Sequence, residues 1–121
     1  MELSYRFAFD AAHRFENYPE GHPYRGVHGH SFQVEVGIGG APDPATGFVA
    51  DFGEIAEACG AVREQLDHRM LNDVAGLQRP SLENLSVWIW QHLAAKFPSL
   101  VRVTVRRDSI GQSCTYAGPA S

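Results

Sequence analysis

Residues 28–38, HGHSFQVEVGI, carry the pattern on which the fold depends, because two histidines lead directly into an alternating apolar run. From Phe32 to Ile38 every second residue is apolar, which predicts a half-buried β-strand. Residues 3–9 alternate in the same way and predict an earlier strand. The prolines and glycines of residues 14–27 predict a loop between the two strands.

Two helices are expected after this strand pair. Asp51 opens the first, with Glu54 three residues later as in a capping box, and Ser81 caps the second. Apolar residues then recur at helical spacing, at Ile55, Cys59, Val62 and Leu66 and again at Leu82, Leu85, Ile89 and Leu93. We interpret Cys59 as a core residue without chemistry.

Two further strands complete the predicted fold. Val101, Val103 and Val105 alternate as a third strand, and residues 112–117 are a weaker fourth. The order ββααββ predicts an α+β fold, in which an antiparallel four-stranded sheet has both helices on one face. A length of 121 residues predicts a single domain, 1–121.

Composition excludes several classes of partner and location. A formal net charge of −4 argues against binding to nucleic acid or to an anionic membrane. No apolar run approaches a membrane span, and the N-terminus lacks the pattern of a signal peptide. Two cysteines are too few for a disulfide framework, so we expect a cytoplasmic protein.

Three of the six histidines are candidate metal ligands. His28 and His30 lie two apart in extended chain and therefore point to the same side. His13, at the end of the first strand, joins them on that side if the two strands form a hairpin without a bulge. Three imidazoles with an open fourth position are typical of catalytic zinc. Iron, nickel and copper also accept imidazole, and three simply hydrogen-bonded histidines are the structural alternative.

Four other residues are candidates for acid–base chemistry or for binding. Asp67 could orient and activate His68 if the helix has already ended there. The alternative is that both are ordinary solvent-exposed residues at the end of a helix. Glu83 could bind a substrate or simply interact with the helix dipole. Asp108 could be a ligand or a turn residue, and the nearby arginines could neutralise phosphates or cover an edge strand. Those arginines are Arg102, Arg106 and Arg107.

Seven segments, in order along nearly the whole chain, resemble the 6-pyruvoyl-tetrahydropterin synthase / 6-carboxytetrahydropterin synthase family. They are FDAAHRF (9–15), PEGH (19–22), HGHSF (28–32), TGFVADFGEI (46–55), LDHRMLND (66–73), PSLEN (80–84) and VTVRRDS…CTYAG (103–118). The chain is most similar to the bacterial 6-carboxy-5,6,7,8-tetrahydropterin synthases of queuosine biosynthesis.

The resemblance implies the tunnelling fold and homo-oligomers, commonly hexamers built from two trimers, with active sites at subunit interfaces. His13, His28 and His30 match the zinc ligands of the family, and Asp67 and His68 match its proton-relay pair. The implied substrate is 7,8-dihydroneopterin triphosphate. The implied reaction is a zinc-dependent, pterin-forming lyase reaction, with a carboxylate near the end of the third strand binding the pterin.

Two positions depart from the family pattern. The usual catalytic cysteine stands four residues before the first histidine of HGH, where this chain has Tyr24. Because an ordinary tyrosine has a pKa near 10 and a cysteine one near 8.5, tyrosine is the poorer base. At the family's glutamate the alignment allows Arg107 or Asp108. We expect Asp108, because an arginine would repel the ring's N–H donors.

These departures leave three functions open. The first is the pterin-forming lyase, with His68 and Tyr24 in proton transfer. The second is a retro-aldol cleavage of the dihydroneopterin side chain. The third is a zinc- or pterin-binding protein without turnover.

Overall fold

The structure, a computed structural model, describes residues 1–120 and contains the predicted order of elements. The helices and strands are β1 (Glu2–His13), β2 (His28–Gly39), α1 (Phe52–Leu66), α2 (Leu82–Ala94), β3 (Leu100–Arg107) and β4 (Gln112–Tyr116). Short 3₁₀ turns lie at Leu71–Asp73 and Asp108–Ile110. The α+β class and the ββααββ order are confirmed.

The sheet has the order β1-β2-β3-β4, and each neighbouring pair is antiparallel. Helix α1 packs against β1, and α2 packs against β3 and β4, so both helices cover the same face. Every second residue of β2 points from the sheet towards the helices and is part of the core. Phe32, Val34 and Ile38 are at most 1% exposed. Each such side chain stabilises the fold by about 1.5–3 kcal/mol.

Both helices begin at the residues that the sequence predicts. Asp51 accepts a hydrogen bond from the backbone N–H of Gly53 at 2.8 Å, and Ser81 accepts one from that of Asn84 at 3.1 Å. These bonds satisfy N–H groups that have no partner within the helix. None of the helices in residues 1–120 is long and apolar enough to cross a membrane.

The other face of the sheet is polar. Glu35 on β2 accepts hydrogen bonds at 2.8 Å from Arg6 on β1 and from Arg102 on β3. Arg102 therefore belongs to a charged network across this face, away from the helices.

The core face changes character at one end. The pairing aligns Val34 with Val105, so alternation carries His30 and Arg107 onto the helix-covered side. His13 of β1 and His28 of β2 are directly paired at the same end. The apolar interior thus ends in a group of basic side chains beside the start of α2.

Candidate active site

Strand pairing brings the three predicted metal ligands together. In the regular ladder between β1 and β2, His13 stands opposite His28, and Ala11 stands opposite His30. The hairpin has no bulge in this region, which is the condition that the sequence prediction required. One nitrogen from each imidazole lies within 4.8 Å of the others.

Backbone carbonyls orient two of these rings. His13 Nδ1 lies 3.1 Å from the carbonyl oxygen of Pro80, and His28 Nδ1 lies 2.8 Å from that of Gly26. Because a carbonyl can only accept, Nδ1 carries the proton in both rings and Nε2 keeps its lone pair. The Nε2 atoms of His13, His28 and His30 are all buried without a hydrogen-bonding partner among residues 1–120.

Burial disfavours the charged form of two of these imidazoles, His13 and His30. It lowers the pKa of His13 from 6.5 to about 4. It lowers the pKa of His30 as well, and the positive charge of Arg107 adds to that effect. Neutral imidazole is the form that binds a metal, so these two rings have no proton to lose at neutral pH.

The donor set fits a bound metal ion. Without such an ion, three convergent and unpartnered nitrogens would be buried polar atoms that cost about 1–3 kcal/mol each. The carbonyls behind His13 and His28 are the kind of support that metal-binding histidines commonly have. Three nitrogen ligands leave a coordination position for a substrate, and zinc is the metal most often held in this way.

A large cavity of about 980 Å³ lies on the Tyr24 side of the histidines, and none of the three histidines lines it. Its lining includes Tyr24, Glu83 and Arg107, together with polar residues of the loop after β1. The ring of Tyr24 stacks on His28 with a centroid separation of 5.4 Å. The Tyr24 ring thus lies between the cavity and the predicted metal ligand His28.

Asp67 and His68 form a pair just after α1 ends. His68 adopts a left-handed backbone with φ of 58°, and this bend places its Nδ1 3.0 Å from an Asp67 carboxylate oxygen. The carboxylate also accepts a hydrogen bond from the backbone N–H of Asp10 at 3.0 Å and pairs with Arg63 at 3.1 Å. The hydrogen bond from the backbone N–H of Asp10, followed by the hydrogen bond from His68 and the charge of Arg63, lowers the pKa of Asp67.

His68 is not inside the large cavity. Its side chain is 79% exposed and lies beside the end of β1, where residues 67–69 bond to the outer backbone groups of Asp10 and Ala12. It borders a second cavity of about 580 Å³ together with His30. Within one chain, the proton-relay candidates and Tyr24 therefore face different cavities on either side of the histidines.

Asp108, the expected substrate-binding carboxylate, does not line the large cavity of the single chain. Asp108 begins the 3₁₀ turn after β3, is exposed, and has its carboxylate 2.9 Å from the Nε of Arg106. Arg107 lines the large cavity instead. The side-chain period of two along β3 already predicts the position of Arg107, because Val103, Val105 and residue 107 share the core face. The argument from charge had favoured residue 108 instead.

Comparisons with known proteins give the chain its family. The model of the 6-pyruvoyl tetrahydropterin synthase family matches residues 2–119. Dihydroneopterin monophosphate aldolase of Pyrococcus furiosus is 34% identical over 103 residues, covering 84% of this chain and 82% of that protein. The 6-carboxy-5,6,7,8-tetrahydropterin synthase of Synechocystis is 36% identical over 117 residues, covering 92% and 85%.

A solved structure shows the same fold. The 6-pyruvoyl tetrahydropterin synthase of Caenorhabditis elegans superposes with a TM-score of 0.86 at 23% identity, covering 98% of this chain and 96% of that one. The family resemblance and the tunnelling fold are thereby confirmed. The chain belongs to the 6-pyruvoyl tetrahydropterin synthase family.

Proposed function

We propose that this protein is a zinc-dependent lyase of the 6-carboxytetrahydropterin synthase type, acting on the side chain of 7,8-dihydroneopterin triphosphate. The observation that carries the proposal is the convergence of three buried imidazole nitrogens that have no partner among residues 1–120. One of these rings, His28, stacks on Tyr24 in the wall of a cavity of about 980 Å³. Zinc at this position would supply Lewis acidity towards a hydroxyl or carbonyl oxygen of the substrate.

The residues of the chain have distinct roles in this proposal. His13, His28 and His30 bind the metal. Tyr24 and His68 move protons. Because Asp67 accepts from Nδ1 of His68, it keeps a lone pair on Nε2 of that ring, which is the form needed for a general base. Glu83, in the first turn of α2, offers a carboxylate to N–H donors of the substrate from the wall of the cavity.

The exposed position of His68 favours a site assembled from more than one copy of the chain. The sheet ends in two edge strands, β1 and β4, and the Asp67–His68 pair lies on the edge of β1. Pairing of edges between copies would bury strand groups that are otherwise open and bring this pair to a neighbouring cavity. We therefore propose a homo-oligomer, with a hexamer of two trimers as the expected form.

A second reaction, retro-aldol cleavage, is favoured by one specific relative. The Pyrococcus furiosus protein, 34% identical over most of this chain, is named an aldolase. In this reaction a base removes the proton of the 2′-hydroxyl, the C1′–C2′ bond breaks, and the electron pair passes into the dihydropterin ring. Proton addition at C1′ then gives 6-hydroxymethyl-7,8-dihydropterin and a phosphorylated glycolaldehyde. For both reactions we take Tyr24 to stand at the position where the synthases have their catalytic cysteine.

One incubation distinguishes these functions. Zinc-loaded protein is mixed with 7,8-dihydroneopterin triphosphate or monophosphate, and the products are separated by chromatography. Carboxytetrahydropterin with acetaldehyde supports the synthase reaction, and hydroxymethyl-dihydropterin supports the aldolase reaction. Binding without turnover supports a non-catalytic pterin-binding protein and contradicts both reactions.

The metal requirement needs a matched pair of variants. His28→Ala should lose zinc and turnover together, whereas His92→Gln, on the exposed side of α2, should keep both. Full turnover by metal-free His28→Ala protein would contradict the proposed mechanism.

A further inference from the structure

The end of β3 adds a positive charge to the candidate metal site. Arg107 follows Val103 and Val105 on the core face and lines the large cavity with Tyr24 and Glu83. Its Nε is buried and has no hydrogen-bonding partner among residues 1–120. Burial lowers the pKa of this guanidinium, although the group remains charged at neutral pH.

Two neighbouring arginines are already engaged, and Arg79, a third arginine in the wall of the cavity, is exposed to solvent. Arg106 points away from the core face and pairs with Asp108 at 2.9 Å. Arg14, which also lines the cavity, pairs with Glu16 at 3.4 Å. Arg107 is attracted by the nearby carboxylate of Glu83, yet its Nε donor remains unused.

Arg107 lines the same cavity as Tyr24, whose ring stacks on His28 with a centroid separation of 5.4 Å. A ligand that fills this cavity is therefore within reach of both the Arg107 guanidinium and the Tyr24 ring. A cation with a buried, unpartnered donor is stabilised when such a ligand brings a negative charge against it.

We propose that Arg107 binds an anionic group of the ligand, a phosphate ester or a carboxylate, beside the histidine cluster. The planar guanidinium presents parallel N–H donors that match two oxygens of such a group. It cannot accept from the N–H donors of an amino-pyrimidine edge, because it has no acceptor atom. The ligand is therefore oriented with its acidic group, and not that edge, against the end of β3.

This assignment deepens the proposed function and rests on it for the identity of the pocket. It makes Arg107 a specificity-determining residue, which favours phosphorylated or carboxylated pterins over their uncharged counterparts. A phosphate and a carboxylate would be recognised by the same guanidinium donors. Binding measurements with a separate probe for each group distinguish the two.

The test compares Arg107→Gln and Arg107→Lys with Arg106→Gln, whose arginine faces away from the cavity. Calorimetric titrations of zinc-loaded protein use inorganic tripolyphosphate, pterin-6-carboxylate and uncharged 7,8-dihydroneopterin. Wild-type protein should bind at least one of the two charged probes more tightly than dihydroneopterin. Arg107→Gln should weaken binding of that probe about 10- to 100-fold and change dihydroneopterin binding less than about threefold.

The two matched variants complete the expected result. Arg107→Lys should lose less affinity than Arg107→Gln, because it keeps the charge but not the paired donors. Arg106→Gln should bind as the wild type does. The charged probe that loses affinity identifies the source, phosphate or carboxylate.

Two results would overturn the inference. One is equal affinity of wild-type and Arg107→Gln protein for both charged probes, and the other is no preference of the wild type for either over dihydroneopterin. Circular dichroism and zinc content show whether Arg107→Gln is folded, and Arg107→Lys replaces it if not. Failure of the wild type to bind zinc counts against the proposed function instead, and metal-free titrations still test Arg107.

Discussion

The metal-free protein should lose stability in mild acid because of one histidine. His13 is 0% exposed and has its pKa lowered from 6.5 to about 4, chiefly by burial. As the pH falls below 6.5, the unfolded chain binds a proton at His13 that the folded protein does not bind. The stability present above pH 6.5 is therefore lost progressively as the pH falls towards about 4.

The size of the effect follows from the two pKa values. A difference of one unit corresponds to about 1.36 kcal/mol between the protonation states. At a pH of about 4.5, the unfolded histidine is almost fully protonated, whereas the folded one is protonated in only about a quarter of molecules. The free energy of unfolding should then be about 2.5 kcal/mol lower than at neutral pH from this group alone.

Urea unfolding of chelator-treated protein, followed by tryptophan fluorescence, measures this loss at about pH 7 and about pH 4.5. The comparison protein is His13→Gln, which cannot titrate at this position. His30, Glu35 and Asp67 also have lowered pKa values, but they titrate in both proteins and largely cancel in the difference. The wild type should lose about 2.5 kcal/mol more than His13→Gln. Equal losses in the two proteins would refute the reasoning.

Three further predictions concern the metal, the start of α2 and the reaction. Zinc at a free concentration of 100 times its Kd should raise the free energy of unfolding of the wild type by about 2.7 kcal/mol, and His28→Ala should show no such rise in thermal melts. Ser81→Ala should cost about 1 kcal/mol in urea unfolding, since it removes the cap on Asn84, whereas Ser81→Asp should restore the stability. Tyr24→Phe should lower kcat about 100-fold without loss of zinc if Tyr24 transfers a proton, and an unchanged kcat would leave it only a packing role.

The local sequence pattern was sufficient to predict the fold and to predict that three candidate metal ligands share a face of the sheet. Alternation in residues 3–9 and 32–38 specifies strands, and residues such as Asp51 and Ser81 mark where helices begin, because these signals depend on neighbours along the chain. The side-chain period of two also predicted that His13, His28 and His30 share a face. Only the register was missing, and the structure supplies it by pairing His13 with His28.

Tertiary structure decided which groups surround those histidines. The carbonyl of Pro80 orients His13 from 67 residues away, and no local pattern encodes that contact. The sequence offered both Arg107 and Asp108 at the end of β3, and charge complementarity pointed to the carboxylate. Pairing with β2 assigns the core face to Arg107 and leaves Asp108 on the surface with Arg106. Such choices depend on packing between distant elements, because a side chain's chemistry does not determine which face of a strand it occupies.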